Sequence, residues 1–152
     1  MRLPVQQQAS RRRGGQTTVT AIGGERFQLT SSPETGGTLG EVAISWVSRS
    51  GDGLLRAYVA ALCSGLDHGV PLADLLRPGL GLRFAPDGRT DDPEIPVAFS
   101  PVDYCCRRLA IDWLPYPERA ALGVITPDER ARSGSQAVRP HLAFRPVNGG
   151  RG

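Results

Sequence analysis

The strongest constraint in the sequence is a complete helix-start signal at residues 100 to 103, Ser-Pro-Val-Asp. Ser100 can accept a hydrogen bond from an amide of the first turn, and Pro101 occupies the first helical position, where a missing N–H costs nothing. Asp103 places a carboxylate three residues after the cap, beside unpaired amides and the positive end of the helix dipole. The pattern predicts a helix over residues 101 to 114.

The predicted helix has an apolar face and a charged face. The apolar residues recur with the helical period and are Val102, Cys105, Cys106, Leu109 and Trp113. The residues expected on the opposite, solvent-exposed side are Arg107, Arg108 and Asp112. We therefore expect the helix to dock on a core through one face and to leave an arginine pair free on the other.

Two of the three cysteines, Cys105 and Cys106, are adjacent. Neighbouring residues of a helix point about 100° apart, and a disulfide between neighbours is strained. We therefore expect both thiols to pack in the core as small hydrophobic groups. Cys63 falls in another predicted helix, and no Cys-x-x-Cys or His-x-x-x-His spacing indicates a metal site. His68, at the end of that helix, is expected to bond helix carbonyls.

The first third of the chain predicts a small antiparallel sheet. A β-prone run at residues 16 to 22, the turn Gly23-Gly24 and the alternation around Phe27 and Leu29 predict a hairpin. A third strand is expected over Leu39 to Val47, with one face made of Val42, Ile44 and Trp46. A helix over residues 52 to 68 should cover this sheet. The fold class is therefore α+β: a three-stranded antiparallel meander packed by two main helices, plus short helices.

Charge is distributed unevenly along the chain. All eighteen basic residues are arginine, which excludes a Schiff-base lysine and the lysine of a phosphate-binding P-loop. Residues 1 to 15 carry a net charge of +4, residues 132 to 152 carry +4, and residues 16 to 131 carry −5. We expect a mildly acidic domain over residues 16 to 134, between disordered basic tails at residues 1 to 15 and 135 to 152. The pattern dissolves from Ser133 onward.

The acidic stretch before the capped helix invites a catalytic or magnesium-binding hypothesis, because Asp91, Asp92 and Glu94 supply hard oxygen ligands. The favoured interpretation is simpler. Asp-Asp-Pro is ordinary turn chemistry, so these carboxylates are expected to shape a surface loop and to pair with Arg83 and Arg89.

A series of short stretches carries a family resemblance. In order they are Glu41-Val42 after Gly36-Gly37-Thr38-Leu39-Gly40, then His68-Gly69-Val70-Pro71-Leu72, Arg83-Phe84, Thr90-Asp91-Asp92-Pro93, and Asp103-Tyr104 with Arg107-Arg108-Leu109-Ala110. Together they resemble the C-terminal region of adenosylcobalamin-dependent (class II) ribonucleotide reductases, which is often called the TSCPD domain. The similarity runs from about Arg11 to Arg132.

The resemblance implies a stand-alone accessory or regulatory part in deoxyribonucleotide synthesis. It does not include the catalytic barrel of those enzymes, which holds the cobalamin site, the radical-bearing cysteine and the substrate pocket. We therefore expect a chain that is inactive alone, binds no cofactor itself and leaves adenosylcobalamin to that barrel. The implied partner is a catalytic ribonucleotide reductase chain, and the expected contact residues are Arg83, Arg89, Asp91, Asp92, Glu94, Arg107 and Arg108.

An alternative remains open: an independent nucleic-acid or protein-binding module that acts through its arginine-rich tails, because guanidinium groups bind phosphates bidentately. The start of the chain, MRLPVQQQAS, lacks the hydrophobic stretch of a secretory signal, and no apolar run reaches membrane-spanning length. Under either interpretation we expect a cytoplasmic protein without membrane contact.

Overall fold

The computed structural model describes residues 14 to 47 and 53 to 137. The strands are β1 Gln16–Ile22, β2 Glu25–Pro33, β3 Leu39–Trp46, β4 Gly88–Arg89 and β5 Val97–Ala98. The helices are α1 Gly53–Asp67, α2 Leu72–Leu76, α3 Pro101–Trp113, α4 Tyr116–Ala121 and α5 Pro127–Ala137, with a 3₁₀ turn over Arg77–Gly79. The arrangement is the expected α+β fold.

The first three strands form the predicted antiparallel meander in the order β1-β2-β3. Gly23 and Gly24 make the tight turn between β1 and β2 with φ of 55° and 86°, values that a side chain would disfavour. Thr20 lies opposite Phe27 in this hairpin, and Leu29 lies opposite Ile44 across the second strand pair. The register shifts at Ser32 and Pro33, where β2 is irregular.

Helix α1 packs on β3 and covers the sheet as predicted. Its buried residues follow helical spacing and are Leu55, Val59 and Leu62. They meet the inward face of the sheet, whose buried residues include Phe27, Leu29, Val42 and Ile44. Burial of each large apolar side chain stabilises the fold by about 1.5–3 kcal/mol.

Helix α3 begins at Pro101, as the sequence indicates. The Asp103 amide donates to Ser100 Oγ at 3.0 Å, which confirms the predicted cap. The predicted division into a buried and an exposed face is wrong, however. Asp103, Tyr104 and Arg108 are buried together with the apolar residues. The segment over residues 80 to 99 bonds to the polar side of the helix through the Gly81 and Phe99 amides and the Asp92 carboxylate. Most of α3 is therefore buried.

Two short features differ from the expectations. The acidic loop contains a small antiparallel pair, β4 with β5, that the sequence pattern did not predict because each strand has only two residues. Helix α5 continues to Ala137, past Ser133, where the sequence pattern dissolves. The start of α5 is a capping box: the Glu129 amide donates to Thr126 Oγ1 at 3.3 Å, and the Glu129 carboxylate accepts from the Thr126 amide at 3.0 Å.

The predicted basic tails lie almost entirely outside the described residues. Within the described part of the chain, no helix is long and apolar enough to cross a membrane.

Candidate functional site

The residues predicted to contact a partner separate into three groups in the structure. Asp92, Glu94 and Arg108 meet in one ionic cluster. Asp91 and Arg89 join the acidic loop to the edge of the sheet. Arg83 and Arg107 flank the ring of Phe99 on the surface.

The ionic cluster surrounds Arg108, of which only 7% is exposed. Its guanidinium group reaches Asp92 at 3.1 Å, Glu94 at 3.3 Å and Asp112 at 2.6 Å. Burial alone would lower the pKa of Arg108, but the hydrogen bonds that it donates to Asp112 and Asp92 raise this pKa above its usual value. The prediction that Arg108 is exposed beside Arg107 is therefore wrong, because three carboxylates compensate the buried charge.

Tyr104 completes the cluster from inside the core. Its hydroxyl donates to Asp92 Oδ2 at 2.6 Å, and its ring packs edge-on against Phe27 with 5.3 Å between ring centroids. Burial, followed by the bond to Asp92, raises the pKa of Tyr104, so the hydroxyl stays protonated and remains a donor. The cluster thus links the acidic loop, α3 and the sheet.

Asp92 also shapes its own loop. Its Oδ1 accepts from the Glu94 amide at 2.9 Å, and its carbonyl accepts from the Ile95 amide at 3.1 Å. Thr90 Oγ1 accepts from the Asp92 amide at 3.1 Å and donates to the Ile95 carbonyl. The expectation that these acids form a turn is confirmed for Asp92, but its charged partner is Arg108, not Arg83 or Arg89.

The edge of the acidic loop is attached to β1. Asp91 Oδ1 accepts from the Thr20 hydroxyl at 2.7 Å and from the Ala21 amide at 2.8 Å. These bonds, the amide first, lower the pKa of Asp91. The Gly23 amide donates to the Arg89 carbonyl at 3.1 Å. The loop is therefore an extension of the sheet edge.

Asp103 holds both ends of the loop that covers α3. Its carboxylate accepts from the Gly81 amide at 2.7 Å and from the Phe99 amide at 3.0 Å, and Arg107 Nε donates to the same carboxylate at 3.0 Å. The sequence assigned Asp103 to helix capping alone. The sequence also carried a signal for the bond between Asp103 and Arg107, because Arg107 follows four residues later on the same helix face.

The three thiols are held inside the domain or against its backbone. Cys105 and Cys106 are fully buried, which confirms their predicted place in the core. Burial raises the pKa of Cys106 to about 11 and the pKa of Cys105 well above its usual value. The Tyr58 hydroxyl lies 3.0 Å from Cys106 Sγ, and Cys63 Sγ donates to the Val42 carbonyl at 3.4 Å. All three are free cysteines.

A cation-rich apolar surface lies next to the loop. Arg83 places its guanidinium carbon 4.0 Å from the centroid of the Phe99 ring, and the corresponding distance for Arg107 is 5.9 Å. Phe84 and Val97 beside them are 39% and 50% exposed. We name this surface, made of Arg83, Phe84, Val97, Phe99 and Arg107, the Arg83–Arg107 face. A groove of about 230 Å³ continues it between Val97, Arg107 and Arg130.

Other candidate residues have structural partners. His68 Nδ1 lies 2.7 Å from the Ser64 carbonyl oxygen, which confirms its expected place on the helix-end carbonyls. Arg119 is paired with Glu129 and also donates to the Val124 carbonyl at 3.3 Å. Among residues 14 to 47 and 53 to 137, the structure contains no group of three or more His, Cys, Asp or Glu side chains that could hold a metal ion.

Comparison with known proteins gives one consistent group of relatives. The chain is 39% identical over 132 residues to a vitamin B12-dependent ribonucleotide reductase of Streptomyces avermitilis, an overlap of 85% of this chain and 14% of that protein. A protein of the same name from Streptantibioticus cattleyicolor is 39% identical over 132 residues, which is 22% of its length. The one from Bradyrhizobium diazoefficiens is 31% identical over 122 residues, or 9% of its length.

These matches show homology to a domain of vitamin B12-dependent ribonucleotide reductase. The chain spans only a small fraction of the length of each relative. No protein-family profile matches the chain, and no solved structure matches it.

Proposed function

We propose that this α+β unit is a non-catalytic accessory domain of a vitamin B12-dependent ribonucleotide reductase, equivalent to the C-terminal TSCPD domain, and that it serves deoxyribonucleotide synthesis by docking on the catalytic part. The observation that carries the proposal is the 39% identity over 132 residues, which extends across 85% of the chain. A match of that length implies the same fold in the relatives and favours a shared process.

The thiols support a non-catalytic role. Ribonucleotide reduction needs a radical-bearing cysteine and two further thiols that converge on one ribose in a site closed to water. Cys105 and Cys106 are fully buried in the core, and their raised pKa values keep them as thiols at neutral pH. The chain has three cysteines, so a set of three reacting thiols would have to include Cys105 and Cys106.

We assign adenosylcobalamin to the catalytic part and not to this domain. Two grooves of the described residues measure about 230 and 440 Å³. Pockets for drug-sized ligands are commonly about 300–1,000 Å³, and a cobalamin is several times larger than such a ligand. Among the described residues the one histidine is His68, and its Nδ1 lies 2.7 Å from the Ser64 carbonyl oxygen. No step of the chemistry is assigned to this domain.

The proposed contact with the catalytic part is the Arg83–Arg107 face. Arginine stacked on an aromatic ring beside exposed apolar side chains is a common composition of protein interfaces. Arg89 lies opposite Val97 in the β4–β5 pair, and Glu94 lines the groove that continues the face. The face therefore suits a partner surface that combines apolar groups with carboxylates.

The direct test is an assay of deoxynucleotide formation with adenosylcobalamin and a dithiol. The purified chain alone should show no turnover. When it is added to the vitamin B12-dependent reductase of the same cell, it should co-purify with that enzyme and change its rate or its response to effector nucleotides. Turnover by the chain alone would contradict the non-catalytic role, and the absence of both association and effect would contradict the accessory role.

A second candidate function is nucleic-acid binding through the terminal arginines. The observation that favours it is the charge of +4 on each end against −5 over residues 16 to 131. Such binding should weaken steeply with salt, because each phosphate contact releases counterions. A full-length variant with Arg11, Arg12 and Arg13 replaced by Gln should then lose affinity for a mixed-sequence DNA duplex. An unchanged affinity would exclude the N-terminal tail as the binding element.

A further inference from the structure

A second groove, of about 440 Å³, lies apart from the Arg83–Arg107 face. Three parts of the chain meet there: the turn between β2 and β3, the connection from α1 to α2, and the residues that leave α3. Its apolar lining includes Leu39, Leu66, Leu72 and Leu114. The volume is large enough for one or two side chains of a bound peptide.

The charge of this groove has one sign. The only charged residues in its lining are Glu34 and Glu118, and both are exposed. Within the described residues, the side-chain hydrogen bonds and ion pairs involve neither of these two carboxylates. Their charge is therefore available to a ligand that enters the groove.

The ends of four helices lie beside the groove, and their dipoles oppose one another. Helix α1 ends at Asp67 and α3 ends at Trp113, whereas α2 begins at Leu72 and α4 begins at Tyr116, after Pro115. Two partial negative ends and two partial positive ends leave no net charge from the helix dipoles. The preference of the groove for a cation therefore rests on Glu34 and Glu118.

The indole of Trp113 offers an aromatic surface in the same place. Trp113 lines the groove, and its Nε1 donates to Ser31 Oγ at 3.0 Å, which fixes the orientation of the ring. A guanidinium group is attracted to the face of an indole by about 0.5–2 kcal/mol. An arginine side chain matches the ring and the two carboxylates together.

The backbone of the groove is preorganised. In the β2–β3 turn the Glu34 amide donates to the Thr38 carbonyl at 2.7 Å. At the end of α1, Gly69 adopts φ of 76°, and the Gly69 and Val70 amides donate to the Leu66 and Gly65 carbonyls, each at 3.0 Å. Both walls are closed by their own hydrogen bonds, so binding need not order them.

We infer that this groove binds an extended segment of a partner protein in which an arginine stands beside apolar residues. The arginine lies on Trp113 between Glu34 and Glu118, and the neighbouring apolar side chain enters the leucine-lined part. The inference does not depend on the proposed accessory function, because a different surface carries each one.

The proposed occupant is a partner, and the arginine-containing segment that follows α5 is the alternative that the Arg139 and Arg145 variants test. The groove next to the Arg83–Arg107 face is lined by Ile111 of α3 and by Pro127, the first residue of α5. The second groove is lined by Trp113. Residues two apart on a helix point about 200° apart, so α5 begins on the opposite side of α3 from the second groove.

The test is binding of a fluorescein-labelled peptide, Gly-Pro-Leu-Arg-Pro-Phe-Gly, to the full chain, followed by fluorescence anisotropy and by amide chemical shifts. Binding should move the signals of Gly37, Thr38 and Gly69 and of the Trp113 indole. The same peptide with glutamate in place of arginine should not bind. Equal binding of the two peptides, or shifts confined to other residues, would overturn the inference.

Matched variants locate the site. Replacing both groove acids (Glu34→Gln with Glu118→Gln) should weaken binding by about tenfold or more, because two charge-assisted contacts are lost. The control, Asp87→Asn with Asp128→Asn, makes the same change in net charge elsewhere and should have little effect. Val70→Arg should block the groove, whereas Val47→Arg, at another exposed valine, should not. Equal effects of test and control variants would contradict the assignment.

A further variant distinguishes the source of the occupant. In the full chain, Arg139→Gln with Arg145→Gln removes both arginines of the segment 138 to 147. If a partner supplies the occupant, these changes leave peptide affinity unchanged. A gain of about tenfold in affinity would show that the segment itself competes for the groove, and would overturn the partner assignment.

Discussion

Tyr104 donates its phenolic hydrogen to Asp92 Oδ2 at 2.6 Å, and both side chains are buried. Arg108 donates to the same carboxylate oxygen at 3.1 Å. These two bonds connect α3 to a loop whose sequence predicts an ordinary surface turn. The loop that carries part of the Arg83–Arg107 face is therefore held by the core itself.

The first prediction concerns Arg108. Its replacement by alanine leaves Asp92 and Asp112 in a nearly closed site without a cation, so the free energy of unfolding should fall by about 3–5 kcal/mol. Urea denaturation measures the change. The control Arg89→Ala, at an exposed arginine of the same loop, should stay within about 0.5 kcal/mol of the unmodified chain. Similar losses from both variants would mean that the cluster is not a buried charge network.

The second prediction concerns Tyr104. Replacement by phenylalanine removes one hydrogen bond to Asp92 but keeps the ring that packs on Phe27. Asp92 still accepts from Arg108 and from the Glu94 amide. The loss in unfolding free energy should therefore be about 0.5–1.5 kcal/mol, much smaller than for Arg108→Ala. A loss as large as that of Arg108→Ala would show that the hydroxyl, not the arginine, holds the cluster together.

The third prediction concerns thiol reactivity. A thiol reagent attacks thiolate, and burial with a raised pKa suppresses thiolate at Cys105 and Cys106. Cys63 is only partly buried. In the native protein, at most the Cys63 thiol should react quickly, and all three should react after unfolding in urea. Mass spectrometry of the modified protein identifies the sites, and rapid native modification of Cys105 or Cys106 would place them outside the core.

The fourth prediction concerns acid stability at the start of α5. The hydrogen bond with Arg119, followed by that with the Thr126 amide, lowers the pKa of Glu129 from its usual 4.5 to about 2. A carboxylate whose pKa is lower in the folded state stabilises the fold above its unfolded pKa. That contribution should be lost as pH falls from 4.5 towards 2.

The measurement for Glu129 is its side-chain chemical shift during an acid titration, together with thermal stability at each pH. Glu129→Gln should remove this part of the acid sensitivity, whereas Glu118→Gln, at an exposed glutamate of the preceding helix, should keep it. A midpoint near 4.5 for the Glu129 side chain would contradict the bond to Arg119.

Features set by local physics could be predicted from the sequence. The Ser100 cap needs only one hydroxyl and the next turn, and the Gly23-Gly24 hairpin needs only backbone freedom and alternation on either side. Both were found as expected. The same holds for the thiols on the apolar positions of α3, because helical spacing alone places them.

Features that depend on contacts between distant parts of the chain could not be predicted from the sequence. Two adjacent arginines on a helix predict solvent exposure. Arg108 can be buried because three carboxylates compensate its charge. Asp112 follows it by four residues and was a visible partner, but Asp92 arrives from a separate loop. The second groove was likewise not predictable, since Glu34 and Glu118 are far apart in sequence and line one groove only because the β2–β3 turn and the start of α4 both border it.

Docking of this domain on a catalytic reductase through the Arg83–Arg107 face can be measured as binding between the two proteins. The vitamin B12-dependent reductase of the same cell is immobilised, and the full chain is passed over it. A face variant, Arg83→Glu with Val97→Asp, is compared with a control that makes the same changes elsewhere, Arg56→Glu with Val47→Asp. We predict that the unmodified chain and the control bind, and that the face variant loses affinity by about tenfold or more. Equal binding of both variants, or no binding by the unmodified chain, would contradict it.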